Sequence, residues 1–164
     1  MTTQPMNEPR LLALYRKMAR WPLGRWLFSR AVCFKAPYFG TIHPTFVALE
    51  PGRCEATIPH RRGMRNHIGT VHAIALCNLA ELCAGVMTDA SLPAGMRWIP
   101  KGMTVQYLRK AVGTQRGVAT PAIPIVAAGD GHVHVHRQFV AGRGGERVFD
   151  AVVTMWVSPQ PQRT

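Results

Sequence analysis

Arg65-Asn66-His67-Ile68-Gly69-Thr70-Val71-His72-Ala73-Ile74-Ala75-Leu76-Cys77-Asn78-Leu79-Ala80-Glu81-Leu82-Cys83-Ala84-Gly85 is the stretch on which the reading of this chain turns. It opens polar and glycine-containing, then becomes a run rich in Ala and Leu, the pattern of a loop feeding a buried helix. Within that run stands one carboxylate, Glu81, the only acid between Glu55 and Asp89. A charge inside an apolar helix is costly unless it is paired or used. Glu81 is therefore the first candidate functional residue. The step from His72 to Glu81 is about 900° of helical rotation and about 13 Å of rise, so one helix points the two side chains in opposite directions. Two antiparallel copies would bring the Asn66 to His72 end of one against Glu81 of the other. The pattern predicts a site shared between two subunits.

Working outward, 164 residues with 47% hydrophobic content suit one domain with a substantial core. Cys33, Cys54, Cys77 and Cys83 form no CxxC pair and read as small core residues of a reducing cytosol. The opening Met1 to Pro9 is polar, and no uninterrupted apolar run approaches the roughly 20 residues that span a bilayer. These features predict a cytoplasmic protein without integral membrane contact. The net charge of +12 calls for anionic partners: nucleic acid, lipid headgroups or a phosphate-rich small molecule. Nucleic acid is disfavoured, because no motif for binding it is present.

Residues 10–35 carry Arg10, Arg16, Lys17, Arg20, Arg25, Arg30 and Lys35 without an acid, interleaved with Leu, Trp and Phe. This is a basic amphipathic helical pattern, interrupted near Trp21-Pro22 and stopped before Pro37. It reads as helix packed on the domain with its basic face in water, a membrane-surface helix being the alternative. Phe39 to Leu49 and Cys54 to Ile58 flank the turn Glu50-Pro51-Gly52-Arg53 as a hairpin. Beyond the central helix, Asp89 to Gly95 is a breaker cluster, and Met103 to Leu108 is a third strand. A fourth covers Gly117 to Ile125, weakened at its far end by Pro121 and Pro124. His132 to Val140 and Arg147 to Val157 complete the set, and Ser158 to Thr164 reads as a disordered tail. His132, His134 and His136 share one strand face, but the outer two are about 13 Å apart. With no Asp, Glu or Cys beside them they read as a solvated or interface face, not a metal site. The order predicts an α+β fold in which an antiparallel sheet wraps one long helix. A helical extension at 1–35 precedes the main domain at 36–158, and 159–164 is the tail.

Asn66-His67-Ile68-Gly69-Thr70-Val71-His72-Ala73, with Glu81 nine residues after the histidine, resembles the hotdog-fold acyl-CoA thioesterases. The similarity is to the phenylacetate-degradation type, whose motif is Asn-x-x-Gly-x-x-His-Gly-Gly followed by an acid. Met103 to Lys110 is also similar to that family's strand after the central helix, and the whole resembles most a superfamily branch catalogued as a domain of unknown function. The resemblance spans roughly residues 36–158. Ala73 and Ile74 depart from it where glycines are usual, and Glu81 stands where the closest type has Asp.

The resemblance implies a hotdog fold that hydrolyses acyl-CoA, working as a homodimer or a dimer of dimers. It implies no metal, and no cofactor beyond the coenzyme A moiety of the substrate. Catalysis would fall to Glu81, Asn66 and His72. Backbone N–H groups around His72 and Ala73 would polarise the thioester carbonyl, helped by the positive helix N-terminus. Asn66 would position substrate or water, and Glu81 of the neighbouring subunit would act as general base or as nucleophile. Gly69, Thr70 and Ala73 would line the substrate, while Arg65, Arg109 and Lys110, with Arg61 and Arg62, would hold its phosphates. The alternative is a non-catalytic acyl-CoA or acyl-carrier binding sensor on the same fold. A hydratase is disfavoured, since the Asp-x-x-x-x-His pattern is absent.

Overall fold

The apolar run after His72 folds as helix α3, Ala73–Ser91. Leu76, Leu79, Ala80, Leu82, Cys83, Val86, Met87 and Ala90 are all buried along it. Full burial of a large aliphatic side chain is worth about 1.5–3 kcal/mol, so this helix is the axis of the core. The computed structural model describes residues 8–93, 95–123, 132–142 and 144–160, with 132–139 as backbone. α3 runs through Asp89 and Ser91, which the sequence assigns to a breaker cluster. Ser91 Oγ is held in the last turn by Met87 O and accepts a hydrogen bond from Gly52 N at 2.8 Å. The stop comes at Leu92, whose extended backbone is what the following Pro93 requires. Asn78, Glu81 and Asp89 interrupt its apolar run, yet by length and composition α3 could cross a bilayer, with a mean hydropathy of 1.4. Two thirds of that window (67%) is buried inside the domain, as befits a core helix.

Six strands form one antiparallel sheet in the order β1-β2-β4-β5-β6-β3. They are β1 Thr45–Glu50, β2 Arg53–Ile58, β3 Met96–Tyr107, β4 Gln115–Pro121, β5 His132–Ala141 and β6 Arg147–Pro159. β1 begins later than its apolar pattern predicts, because Pro37–Ile42 closes as a 3-10 helix with proline at its start. β3 begins seven residues earlier than predicted; a bulge between Pro100 and Gly102 accommodates the proline, which an edge strand tolerates. β4 ends at Pro121, and the expected far end at 124–125 lies outside the described residues. The histidines of β5 likewise have side chains outside the described residues. β6 extends to Pro159, and Gln160 donates from its backbone N to Gly95 O and from Nε2 to Met96 O, so the chain from Ser158 to Gln160 is fastened to the start of β3. Residues 161–164 lie outside the described residues.

Strand and helix approach closely at Gly117 of β4, where a Cβ would stand 2.9 Å from Leu79 Cγ. The N-terminal helices α1, Arg10–Met18, and α2, Gly24–Lys35, break where Trp21-Pro22 predicts. Their turn is so tight that a Cβ at Gly24 would collide with Met18 O. Both belong to the main core. Tyr15, Phe28 and Phe46 stack edge to face at 5.0 and 5.3 Å, and Tyr15 Oη donates to Val47 O. Their outer face is less simply basic than expected, since Trp21, Leu23, Trp26 and Phe34 are exposed among the arginines.

Candidate functional site

Asn66 organises the loop that precedes α3. Its Oδ1 accepts from Ile68 N and Thr70 N at 3.2 and 3.1 Å, and its Nδ2 donates to Thr70 Oγ1 at 2.8 Å. Backbone bonds Asn66 N to Thr70 O and Gly69 N to Asn66 O close the turn. Gly69 sits at φ +83°, a conformation that favours glycine. Asn66 thus uses three of its four hydrogen-bonding positions within its own loop. His72 caps α3, its Nδ1 accepting from Ile74 N at 3.1 Å. Its own backbone N–H goes to Met64 O. Of the two N–H groups expected to polarise a carbonyl, that of His72 is therefore engaged, while that of Ala73 has no acceptor among the described residues.

The structure brings the basic candidates to this same end. Val71 N donates to Ala111 O at 2.8 Å, which ties the loop to the segment after β3 that carries Arg109 and Lys110. His60, which sequence reasoning missed, clamps the two: Gly113 N donates to its Nδ1 at 3.0 Å, so Nε2 carries the proton and faces Gly69 O at 3.0 Å. Arg61, Arg62, Arg65, Arg109 and Lys110 are all exposed and make no ion pair among the described residues. A concentration of five cations around a helix N-terminus is chemically suited to an anion. His60 carried no local signal, since both its partners are backbone atoms distant in sequence.

Glu81 lies elsewhere in the same chain. It is half-buried, with no hydrogen bond or ion pair among the described residues. It borders a cavity of about 450 Å³ between α3, α1 and α2, lined mainly by apolar side chains. That volume falls in the range of small-molecule sites, about 300–1,000 Å³. Neither Asn66 nor His72 reaches this cavity. Asp89, two turns on, accepts from Trp98 Nε1 at 2.6 Å. Desolvation at the cavity raises the Asp89 carboxyl above its ordinary value, opposed by the Trp98 hydrogen bond and by Lys35, although the residue as a whole keeps solvent contact.

Edge strand β3 relates the two regions. At its end Tyr107 Oη lies 3.2 Å from Cys77 Sγ on the second turn of α3. That hydrogen bond, with burial, pushes the phenol up to about 12. Near its beginning Trp98 packs on Gly85. The head of α3 is thus fastened to the Tyr107 end of β3, and the Glu81 to Asp89 segment to the Trp98 end.

A six-stranded antiparallel sheet wrapped around one long helix is the hotdog fold. Residues 24–157 match the model of a domain of unknown function, DUF4442, and the chain belongs to that family. The match starts at the first residue of α2, so this helix lies within the family's span. The crystal structure of a structural-genomics target is 45% identical, with a TM-score of 0.76, over 92% of this chain and 99% of that one. A thioesterase from Haemophilus influenzae superposes with a TM-score of 0.68 at 16% identity, over 77% of this chain and 87% of that one. A mutant thioesterase from Pseudomonas aeruginosa does so with a TM-score of 0.70 at 19% identity, over 80% and 92%. At these identities the two likenesses speak for the fold. No functionally curated protein matches the chain.

Proposed function

We propose that the protein hydrolyses acyl-CoA thioesters at a site built by two copies of the chain, with Glu81 of one subunit opposite the Asn66 to Ala73 loop of the other. The observation that carries this reading is the unpartnered carboxylate of Glu81 on an apolar, ligand-sized cavity. A structural ion pair would account for such a residue, and none is found among the described residues.

The need for two copies follows from β3. It is a twelve-residue edge strand that pairs only with β6 among the described residues, and an open edge of that length is a template for a second chain. Antiparallel pairing of β3 with its own copy across a two-fold axis sets the Trp98 end of one beside the Tyr107 end of the other. Each Tyr107 end carries the head of its α3, so each Glu81 acquires a partner loop. In that arrangement Glu81 removes a proton from water as the water attacks the thioester carbonyl. The oxyanion that forms meets the open N–H of Ala73 and the positive end of α3. The C–S bond then breaks, and the thiol leaves with the proton held by Glu81. The cations at Arg61, Arg62, Arg65, Arg109 and Lys110 would meet the phosphates of coenzyme A.

Thiol release from short, medium, long and aromatic acyl-CoAs tests this reading, run on the wild type and on Glu81→Gln. Release that falls about a hundredfold or more in the variant, with the fold intact, is the expected result for loss of a general base. Saturable acyl-CoA binding without thiol release would make the protein a sensor instead.

A further inference from the structure

The cavity beside Glu81 has a direction. Glu81, Gly85 and Asp89 recur every fourth residue on one face of α3, so its floor runs about 12 Å, two turns, from one carboxylate to the other. Over this floor α1 contributes Leu11 and Leu14, and α2 contributes Phe28 and Val32. Trp98 spans the second half of this floor, its indole N–H hydrogen-bonded to Asp89 Oδ1 and its six-membered ring over Gly85. The ring lies so near Gly85 that a Cβ there would be 2.6 Å from Cη2. Residue 85 is small because Trp98 occupies the space, and the contact and the hydrogen bond together fix the ring as a wall.

Resting on the reading of Glu81 as the reacting carboxylate, we infer that this cavity receives a short acyl chain and that Trp98 sets the longest chain admitted. The thioester carbonyl lies at Glu81 and the chain runs toward Gly85, where it meets the indole. An extended backbone covers at most about 3.6 Å for every three bonds, or ~1.2 Å per bond, so the single turn of about 6 Å from Glu81 to Gly85 takes about five bonds and the whole floor, with the indole removed, about ten. Trp98 is a specificity-determining residue in this scheme, acting by shape, and takes no part in the chemistry.

Two measurements on the full-length chain test it: kcat/KM for acyl-CoAs of graded length, and calorimetric binding of the matching S-alkyl-CoA thioethers, which cannot be hydrolysed. Both are run on the wild type, Trp98→Ala and Trp98→Leu, the second variant covering the case in which the first fails to fold. In the wild type short chains are favoured in both assays. Either variant moves the optimum to longer chains, raising the value for chains of about ten bonds about tenfold or more relative to that for short ones. A flat length profile in the wild type, or a profile that neither variant moves, overturns the inference. Thioether binding that keeps the expected profile while no thioester is hydrolysed removes the proposed activity and leaves the Trp98 wall standing. Hydrolysis with a flat profile does the reverse.

Discussion

At the scale of single residues, the candidate site divides into groups that shape and groups left open to react. His60 and His72 direct their hydrogen bonds at backbone, Asn66 at backbone and at Thr70 Oγ1, and together they fix the loop whose Ala73 N–H has no acceptor among the described residues. Glu81 makes no hydrogen bond or ion pair among the described residues. Glu55 shows what a structural carboxylate looks like here. It is only 3% exposed and lies between Arg53 and Arg116, whose Nε atoms donate to it at 2.9 and 3.0 Å. Burial works to raise its pKa, but the hydrogen bonds and charges of Arg116 and Arg53 outweigh burial and hold it below the usual carboxylate value. Because the folded pKa is the lower one, unfolding at acid pH takes up a proton. The stabilisation is therefore complete above the unfolded value of about 4.3, and it fades as pH falls through the lower folded value. Thermal melts of the wild type and Glu55→Gln across the acid range should show a gap that is widest near neutrality and closes on acidification. A gap independent of pH would mean that the pair contributes only shape.

At the scale of elements, the sequence was legible wherever a pattern is local. α3 announced itself by its apolar run, the break at Trp21-Pro22 by its proline, and the β1–β2 hairpin by Pro51-Gly52. Strand ends were less legible: Phe39 and Ile42 carry a strand-like pattern yet close as a 3-10 helix, and the Pro100 bulge hid the first half of β3. The roof that α1 and α2 form over Glu81 was invisible, because nothing in residues 10–35 tells which part of α3 lies beneath them. The contacts of Trp98 with Gly85 and of Cys77 with Tyr107 escaped for the same reason. Tertiary fastening of α2 rests on Ser29, which is fully buried, accepts from Phe46 N at 2.9 Å and donates to Arg25 O at 2.7 Å. Ser29→Ala leaves the buried N–H of Phe46 without its acceptor, at a cost of about 1–3 kcal/mol. For a chain of this size each kcal/mol lowers Tm by about 2–4 °C. Calorimetry reads the loss directly, and a variant as stable as the wild type would show that β1 does not depend on α2.

At the scale of the whole molecule, the distance between Glu81 and the Asn66 loop becomes an asset for experiment. If each site takes Glu81 from one subunit and the loop from another, Glu81→Gln and Asn66→Ala damage opposite halves of it. Each homodimer then carries the same lesion in both sites. A mixed dimer gathers both lesions into one site and leaves the other wild type in both halves. Random exchange makes half of the dimers mixed, and half of the sites in those are intact, so the mixture should regain about one quarter of wild-type activity in a two-fold assembly. The regain should follow the rate of subunit exchange, and chemical cross-linking of each homodimer before mixing should abolish it. A site contained within one chain cannot behave this way: every chain in the mixture carries one lesion, and activity stays at the level of the separate variants. Regained thiol release therefore reads out the shared architecture independently of which acyl chain is preferred. Its absence, with exchange verified by mass, would return Glu81 and the Asn66 loop to separate roles on one subunit.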